Sequence, residues 1–343
     1  GLQRGGLGDL HRSSHSSDPL LAGGNGVPLG ETGRWRPTEM RPILLTGPTA
    51  SGKSAVALEL ALRLGGEIIS VDSMQVYRGL DIGTAKPSAA ERALVTHHLI
   101  DVVGLNESFD AARFVHSATA AIQDIEGRNR TAILCGGTGL YFNAWLGGLG
   151  SAPPPDPLLR AELEAATTAE LLEELARKDP VTLDQIDLQN RRRLVRAVEV
   201  IRITGQPFSV QRARWPEHGG TLTAGRAFGI QRDRPTLIRR IDERVNRMFQ
   251  AGLVTETQSL LKQGLRENRT ALQAIGYRQV VEHLEGAASL RETVERVQAK
   301  TRQFAKRQMT WMQGQLDLAW LEVGTNESPS QTAERILQTL PPA

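Results

Sequence analysis

Cysteine is nearly missing from this chain: Cys135 is the only one in 343 residues. No internal disulfide can form, a cysteine-based zinc site is excluded, and a reducing cytoplasm is the expected compartment. Long apolar runs are missing too. Nothing approaches the roughly 18 residues of a membrane span, and no compact apolar segment behind a basic start marks a signal peptide, so neither membrane insertion nor export is expected. Net charge is small, +3 from 41 basic and 38 acidic residues, and only six of the basic residues are lysine. Guanidinium forks grip phosphates and stack on bases, so an RNA partner is compatible with this balance, as is plain genomic bias toward Arg.

A length of 343 residues with 40% hydrophobic content allows a large domain plus a smaller one. Residues 1–39 are rich in Gly, Ser and Arg and lack periodicity, which predicts a disordered tail. A leader, an expression remnant and an over-extended start before Met40 are all open readings of that tail. From residue 41 strands and helices alternate: strands at 43–46, 67–71 and 131–135, helices at 55–64 and 111–126. Such alternation predicts a parallel sheet with helices on both faces. After Pro153-Pro154-Pro155 the stretch 156–205 has helical periodicity and no convincing strand. The β/α pattern resumes with a strand at 226–231, helices near 235–250, 254–264 and 290–313, and a last strand at 318–323. The expected division is a tail (1–39), a first core part (40–150), a helical insertion (151–225), a second core part (226–325) and a C-terminal tail (326–343).

Gly47-Pro48-Thr49-Ala50-Ser51-Gly52-Lys53-Ser54 fits G-x-x-x-x-G-K-S/T between an apolar strand and a helix, the setting of a phosphate-binding loop. Its backbone N–H groups curl around phosphate oxygens, Lys53 adds a full charge, and the Ser54 hydroxyl suits magnesium. Nucleotide hydrolases and kinases usually add a second apolar strand ending in Asp. Here the strand 132–135 runs into Gly136-Gly137-Thr138-Gly139, with no acid. The acid follows the second strand instead, as Asp72, where the carboxyl end of a parallel strand faces the crevice. Position alone leaves Asp72 as a base, a helix cap or an outer magnesium partner.

The segment 72–87, with His97-His98-Leu99-Ile100-Asp101 and Gly136-Gly137-Thr138-Gly139-Leu140-Tyr141, resembles the bacterial tRNA dimethylallyltransferase (tRNA isopentenyltransferase, IPP transferase) family over 42–320. The resemblance implies a P-loop NTPase-like α/β sheet with an inserted all-helical domain. It implies transfer of a dimethylallyl group from dimethylallyl diphosphate to N6 of the adenine 3′ to the anticodon of tRNA, with magnesium as cofactor and a monomer as the working form. In the family's pattern Asp72 is the general base, Thr138 steadies the amine or the bridging oxygen, and Lys53 and Arg244 hold the diphosphate. Read alone, Thr138 also suits an N-cap for the helix at 140, and Arg240 and Arg244, one turn apart, also suit a solvated face or an i,i+4 ladder with acids, Asp242 and Glu243 being near Arg240.

For tRNA the resemblance implies Asp72, Ser73, Met74, Gln75, Thr138 and Arg160. It adds Gln189-Asn190-Arg191-Arg192-Arg193, Gln273-Ala274-Ile275-Gly276-Tyr277-Arg278 and Lys306-Arg307-Gln308-Met309-Thr310-Trp311-Met312-Gln313. An extruded base needs stacking and phosphate grips, which Tyr277 and Arg278 supply in kind; the alternative is a helix start packed by Tyr277. His97-His98 is expected to be structural at a strand edge, and Cys135 an apolar filler. The Cys/His zinc finger of the eukaryotic branch is absent from this sequence. Rival readings are a prenyltransferase for free adenine nucleotide, a nucleotide-hydrolysing RNA switch or kinase, and an RNA-binding module with an inert loop.

Overall fold

Short, predominantly apolar segments become the central strands here, because a parallel sheet covered on both faces buries nearly every side chain. The structure, a computed structural model, describes residues 42–212 and 225–341; the expected 1–39 tail and part of the insertion lie outside the described residues. The first part runs β1 (Ile43–Thr46), α1 (Lys53–Leu64), β2 (Glu67–Val71), α2 (Ala89–Leu94), β3 (His97–His98), α3 (Ala111–Gly127), β4 (Ala132–Gly136) and α4 (Gly139–Gly147). The insertion is α5 (Pro157–Ala165), α6 (Thr168–Lys178), α7 (Pro180–Gln185), α8 (Arg191–Thr204) and α9 (Phe208–Gln211). The second part follows as β5 (Ala227–Gln231), α10 (Arg234–Gln250), α11 (Leu253–Lys262), α12 (Tyr277–Leu284), α13 (Leu290–Gln315), β6 (Ala319–Glu322) and α14 (Pro329–Thr339).

The described strands form one six-stranded sheet in the order β3-β2-β4-β1-β5-β6, parallel throughout. The expected parallel α/β class is what folds. Because β1 lies between β4 and β5, the chain leaves it to one side first and returns on the other. That reversal opens a crevice at the carboxyl ends of the strands. The insertion has its own apolar core, built by Leu163, Leu171, Leu175, Leu194, Val198 and Ile201. Its longest helix, α8, is bounded by the Asn190 side chain and by Gly205. Among the described residues no helix is long and apolar enough to cross a membrane.

The expectation of a C-terminal tail at 326–343 is corrected by α14. A Ser328/Gln331 capping box starts this helix, and Ala333 and Ile336 bury against Ala57, Leu60 and Val323. The Ala333, Ile336, Leu337, Leu340 spacing is a helical apolar stripe, and burying it against α1 is what orders the segment.

Candidate active site

Register sets three loops side by side. Thr46 pairs with Gly136, and Gly136 pairs with Val71, so Gly47, Gly137 and Asp72 leave three adjacent strands at one edge. Thr46 also pairs with Gly229, which carries Arg232 to that edge from β5.

The phosphate-binding loop is held from outside as well as from its ends. Gly52 takes φ 102°, a conformation open to glycine, and releases the chain into α1. Ala50 also has a positive φ, 65°; it packs on Ile241 and Ala305, and its carbonyl accepts Arg240 Nε–H at 2.9 Å. Arg232 Nε donates to the Ser51 carbonyl at 2.7 Å, and Gln308 Oε1 accepts the Thr49 N–H at 2.9 Å. Thus α10, α13 and the end of β5 together fix the cradle's shape.

Lys53 Nζ reaches the Pro48 carbonyl at 3.4 Å. Burial lowers its pKa, Arg244 pushes it further down, and Asp72 acts in the opposite direction. Arg244 is likewise lowered by burial and supported by Asp72. Ammonium, guanidinium and carboxylate therefore sit in one another's field with an excess of positive charge, a place that favours an anion. Arg244 also lines a cavity of about 730 Å³ with Lys86, Arg92, Asp101, Arg247 and Met248. Ser54 is exposed in the first turn of α1, and its hard hydroxyl oxygen fits magnesium, an ion that keeps waters and substrate phosphates as its other ligands. Cys135 is buried, its thiol pushed up to about 11, and behaves as the expected filler.

Asp72 Oδ1 accepts the N–H groups of Met74 at 2.8 Å and Gln75 at 3.3 Å, so the carboxylate also shapes its own turn. Thr138 occupies the N-cap position of α4 without a side-chain cap bond; its Oγ1 accepts the Ser73 N–H at 3.0 Å instead. Gln75 is spent internally, accepting Ser70 Oγ–H and donating to the Thr84 carbonyl. Asp72, Thr138, Lys53, Arg244 and residues 47–54 thus lie together at this end of the sheet.

The segments expected to touch RNA divide by face. Arg192, Arg193, Gln189, Arg278, Lys306, Arg307, Thr310 and Gln313 are exposed, with Gln273 beside them. Tyr277 does not fit a stacking platform: it is fully buried, donates to Glu256 Oε1 at 2.6 Å and accepts the Gly83 N–H at 3.1 Å. Ala274 and Gly276 are buried around it, and Ile275 is half-buried. Gln308 and Met312 are also buried, Met312 Sδ accepting the Thr46 hydroxyl at 3.5 Å; they sit on the inward face of α13, and Trp311 lies against Gly139. Arg191 is drawn onto the carbonyls of Leu163, Glu164 and Ala166, and Asn190 caps α8. Arg160 and Arg196 pair with the buried Glu199 carboxylate. The side chains of these inward residues are turned away from the surface expected to meet RNA. His97 and His98 form the edge strand β3, bonded to the Val95 carbonyl and to Glu67.

Arg232 and Glu256 were not singled out by sequence reasoning. Arg232 stands just past β5, and a charge immediately beyond the carboxyl end of a parallel strand is a signal that could have found it. Glu256, which accepts the Ile82 and Gly83 amides as well as Tyr277, carries no sequence signal.

Residues 75–315 match the family model described as IPP transferase. A tRNA dimethylallyltransferase 1 from Citrifermentans bemidjiense is 46% identical over 286 residues, 83% of this chain and 92% of that protein. A tRNA dimethylallyltransferase from Geobacter metallireducens is 46% identical over 288 residues, 82% of this chain and 92% of that one. Among solved structures, the full-length tRNA isopentenylpyrophosphate transferase of Bacillus halodurans is 36% identical with a TM-score of 0.63, over 88% of this chain and 97% of that one. A eukaryotic dimethylallyltransferase acting on tRNA is 24% identical with a TM-score of 0.71, over 88% of this chain and 80% of that one, a likeness of fold.

Proposed function

The chain belongs to the IPP transferase family, and from that premise we propose that it moves the dimethylallyl group of dimethylallyl diphosphate onto N6 of the adenine 3′-adjacent to the anticodon in tRNA, releasing diphosphate. Prenyl transfer to tRNA follows from the family and its named relatives; donor, acceptor atom and residue roles are supported by the chemistry of the site.

An allylic diphosphate reacts by breaking its C–O bond, and the electron pair leaves with the diphosphate. Donors arranged in advance around that leaving group lower the barrier. The amides of Gly52 and Lys53, the Lys53 ammonium and the Arg244 guanidinium take this role. Ser54 would hold magnesium, which supplies further positive charge to the leaving oxygens when bound. The N6 lone pair forms the new C–N bond, and the proton it sheds passes to Asp72. Since Oδ1 of Asp72 is held by two amides, Oδ2 is the oxygen assigned to that proton. Thr138 orients the amine side of the crevice.

The observation that carries the reading is the register that brings the phosphate-binding loop after β1, Asp72 after β2 and Gly137-Thr138 after β4 to one end of three adjacent strands, with no acid at the end of β4 to serve hydrolysis. The exposed arginines of α8 and the exposed face of α13 suit an RNA acceptor rather than free nucleotide. The proposal carries with it magnesium as cofactor and a monomer working in the cytoplasm, where unmodified tRNA is found. Labelled dimethylallyl diphosphate incubated with unmodified tRNA should leave the label in a prenylated adenosine on nucleoside analysis. Preference for AMP over an anticodon stem-loop, or ATP turnover without prenyl transfer, would sink it.

A further inference from the structure

We propose that Gln308 is a positioning residue that sets the separation between the diphosphate cradle and the acceptor base; the inference rests on the prenyl-transfer reading above. Gln308 lies on the inward face of α13, 8% exposed. Its Oε1 accepts the Thr49 N–H at 2.9 Å and its Nε2 donates to the Gly137 carbonyl at 3.0 Å. With a donor at one end and an acceptor at the other, the carboxamide has one satisfactory rotation.

The two partners belong to opposite halves of the site. Thr49 is in the cradle that hangs from β1. Gly137 precedes Thr138, whose hydroxyl holds the Ser73 amide next to Asp72, and the amides of Gly137 and Thr138 both bond the Val71 carbonyl at the end of β2. β1 and β2 are not neighbours, because β4 lies between them. No ladder hydrogen bond joins cradle to base directly, and beyond the last rungs the Gln308 carboxamide spans the gap. Its own backbone is anchored by Met312 under Thr46, by Trp311 against Gly139 and by Arg302 on Asp242 at 2.5 Å. Gly137 leaves room for the bridge: a Cβ there would lie 2.3 Å from Gln308 Nε2.

Without the bridge the cradle still supports C–O cleavage, with the electron pair leaving on diphosphate. The amine is then off line, and water can form the new C–O bond instead, losing its proton to solvent and giving the prenyl alcohol. The alcohol share of product therefore reads positioning, which mere loss of folded protein does not change.

The test compares wild type with Gln308→Met, of similar size but without either hydrogen bond, using dimethylallyl diphosphate and an anticodon stem-loop. Expected are a fall in kcat of about tenfold to a hundredfold, KM values for both substrates within about threefold, and a rise of about fivefold or more in the alcohol share. Unchanged kcat and partition would overturn the inference, as would a raised KM alone. Gly137→Ala provides the second variant, displacing the carboxamide while Gln308 stays: it should shift the partition in the same way, and adding Gln308→Ala to it should be no worse than Gln308→Ala alone. An unaltered partition in Gly137→Ala overturns the inference even if Gln308→Met fails to fold. A wild type that makes no prenylated RNA overturns the transfer reading and the inference together; normal transfer by wild type and variants alike overturns the inference alone.

Discussion

Thr138 Oγ1 accepts the backbone N–H of Ser73 at 3.0 Å, so the loop leaving β4 and the turn carrying Asp72 behave as one piece. A hydroxyl that could have capped α4 is used instead to align two strand ends. The acidic turn is consequently fixed by its own Oδ1 bonds and by a neighbour, which lets the chemical and structural duties of Asp72 be separated.

Asp72→Asn keeps an oxygen for the Met74 and Gln75 amides but cannot take a proton. Transfer should fall by about 10²–10⁴-fold, while thermal stability and tRNA affinity stay close to wild type. Asp72→Ala should lose transfer equally and also loosen the turn by roughly 1 kcal/mol. Steady-state transfer and filter binding of the same preparations decide the matter. An Asn variant within tenfold of wild type would refute the base role.

Neighbouring arginines on α8 should give opposite phenotypes. Arg192 is exposed, so Arg192→Ala should weaken tRNA binding roughly equally across sequences and reduce the salt slope by about 1. Arg191 is spent on the carbonyls that end α5 and on Thr168 Oγ1 at 2.9 Å, so Arg191→Ala should instead cost roughly 1–2 kcal/mol of stability and leave that slope nearly unchanged. Binding titrations at several salt concentrations, with denaturation of both variants, check the pair. A change confined to diphosphate affinity in Arg192→Ala would show that α8 is misplaced.

Tyr277→Phe removes a donor to the Glu256 carboxylate and an acceptor for the Gly83 amide. A loss of roughly 1.5–3 kcal/mol in unfolding free energy is expected, with tRNA affinity preserved. A base-stacking role predicts no such loss, since the ring is retained and neither stability nor tRNA affinity would move much. Urea denaturation beside tRNA binding separates the two.

The chemistry was legible where it is local in sequence. Residues 47–54, Asp72 and Thr138 each sit immediately past a strand, and strands of wholly buried residues are easy to recognise. Faces were harder. The segment 306–313 turns about 100° per residue once helical, so Gln308 and Met312, four apart, must point away from Lys306, Arg307 and Thr310; reading the segment as one RNA contact ignored that period. Tyr277 was left open between stacking and packing because its partner, Glu256, stands 21 residues away with no pattern to announce it. The end of the chain was legible but overlooked: Ser328, Gln331, Ala333 and Ile336 carry both a cap and a stripe.

At the far end of β2, Glu67 gives the acid limb of stability. It is 2% exposed and bonded by Arg128, Arg130 and His98. The Arg128 hydrogen bonds, opposed by burial and aided by His98 and Arg130, hold its carboxyl at about 2 against an ordinary 4.5. A carboxyl depressed in the folded state adds stability that is fully present above the unfolded value and is lost as pH falls from about 4.5 toward 2. Because the two arginines are 43% and 51% exposed, solvent screens them, and Glu67→Gln should cost on the order of 1–2 kcal/mol at pH 7. The gap between wild type and variant should then shrink through that acid window, which denaturation midpoints at stepped pH would follow. A gap that widened on acidification would mean that Glu67 is not the ionised centre of this cluster.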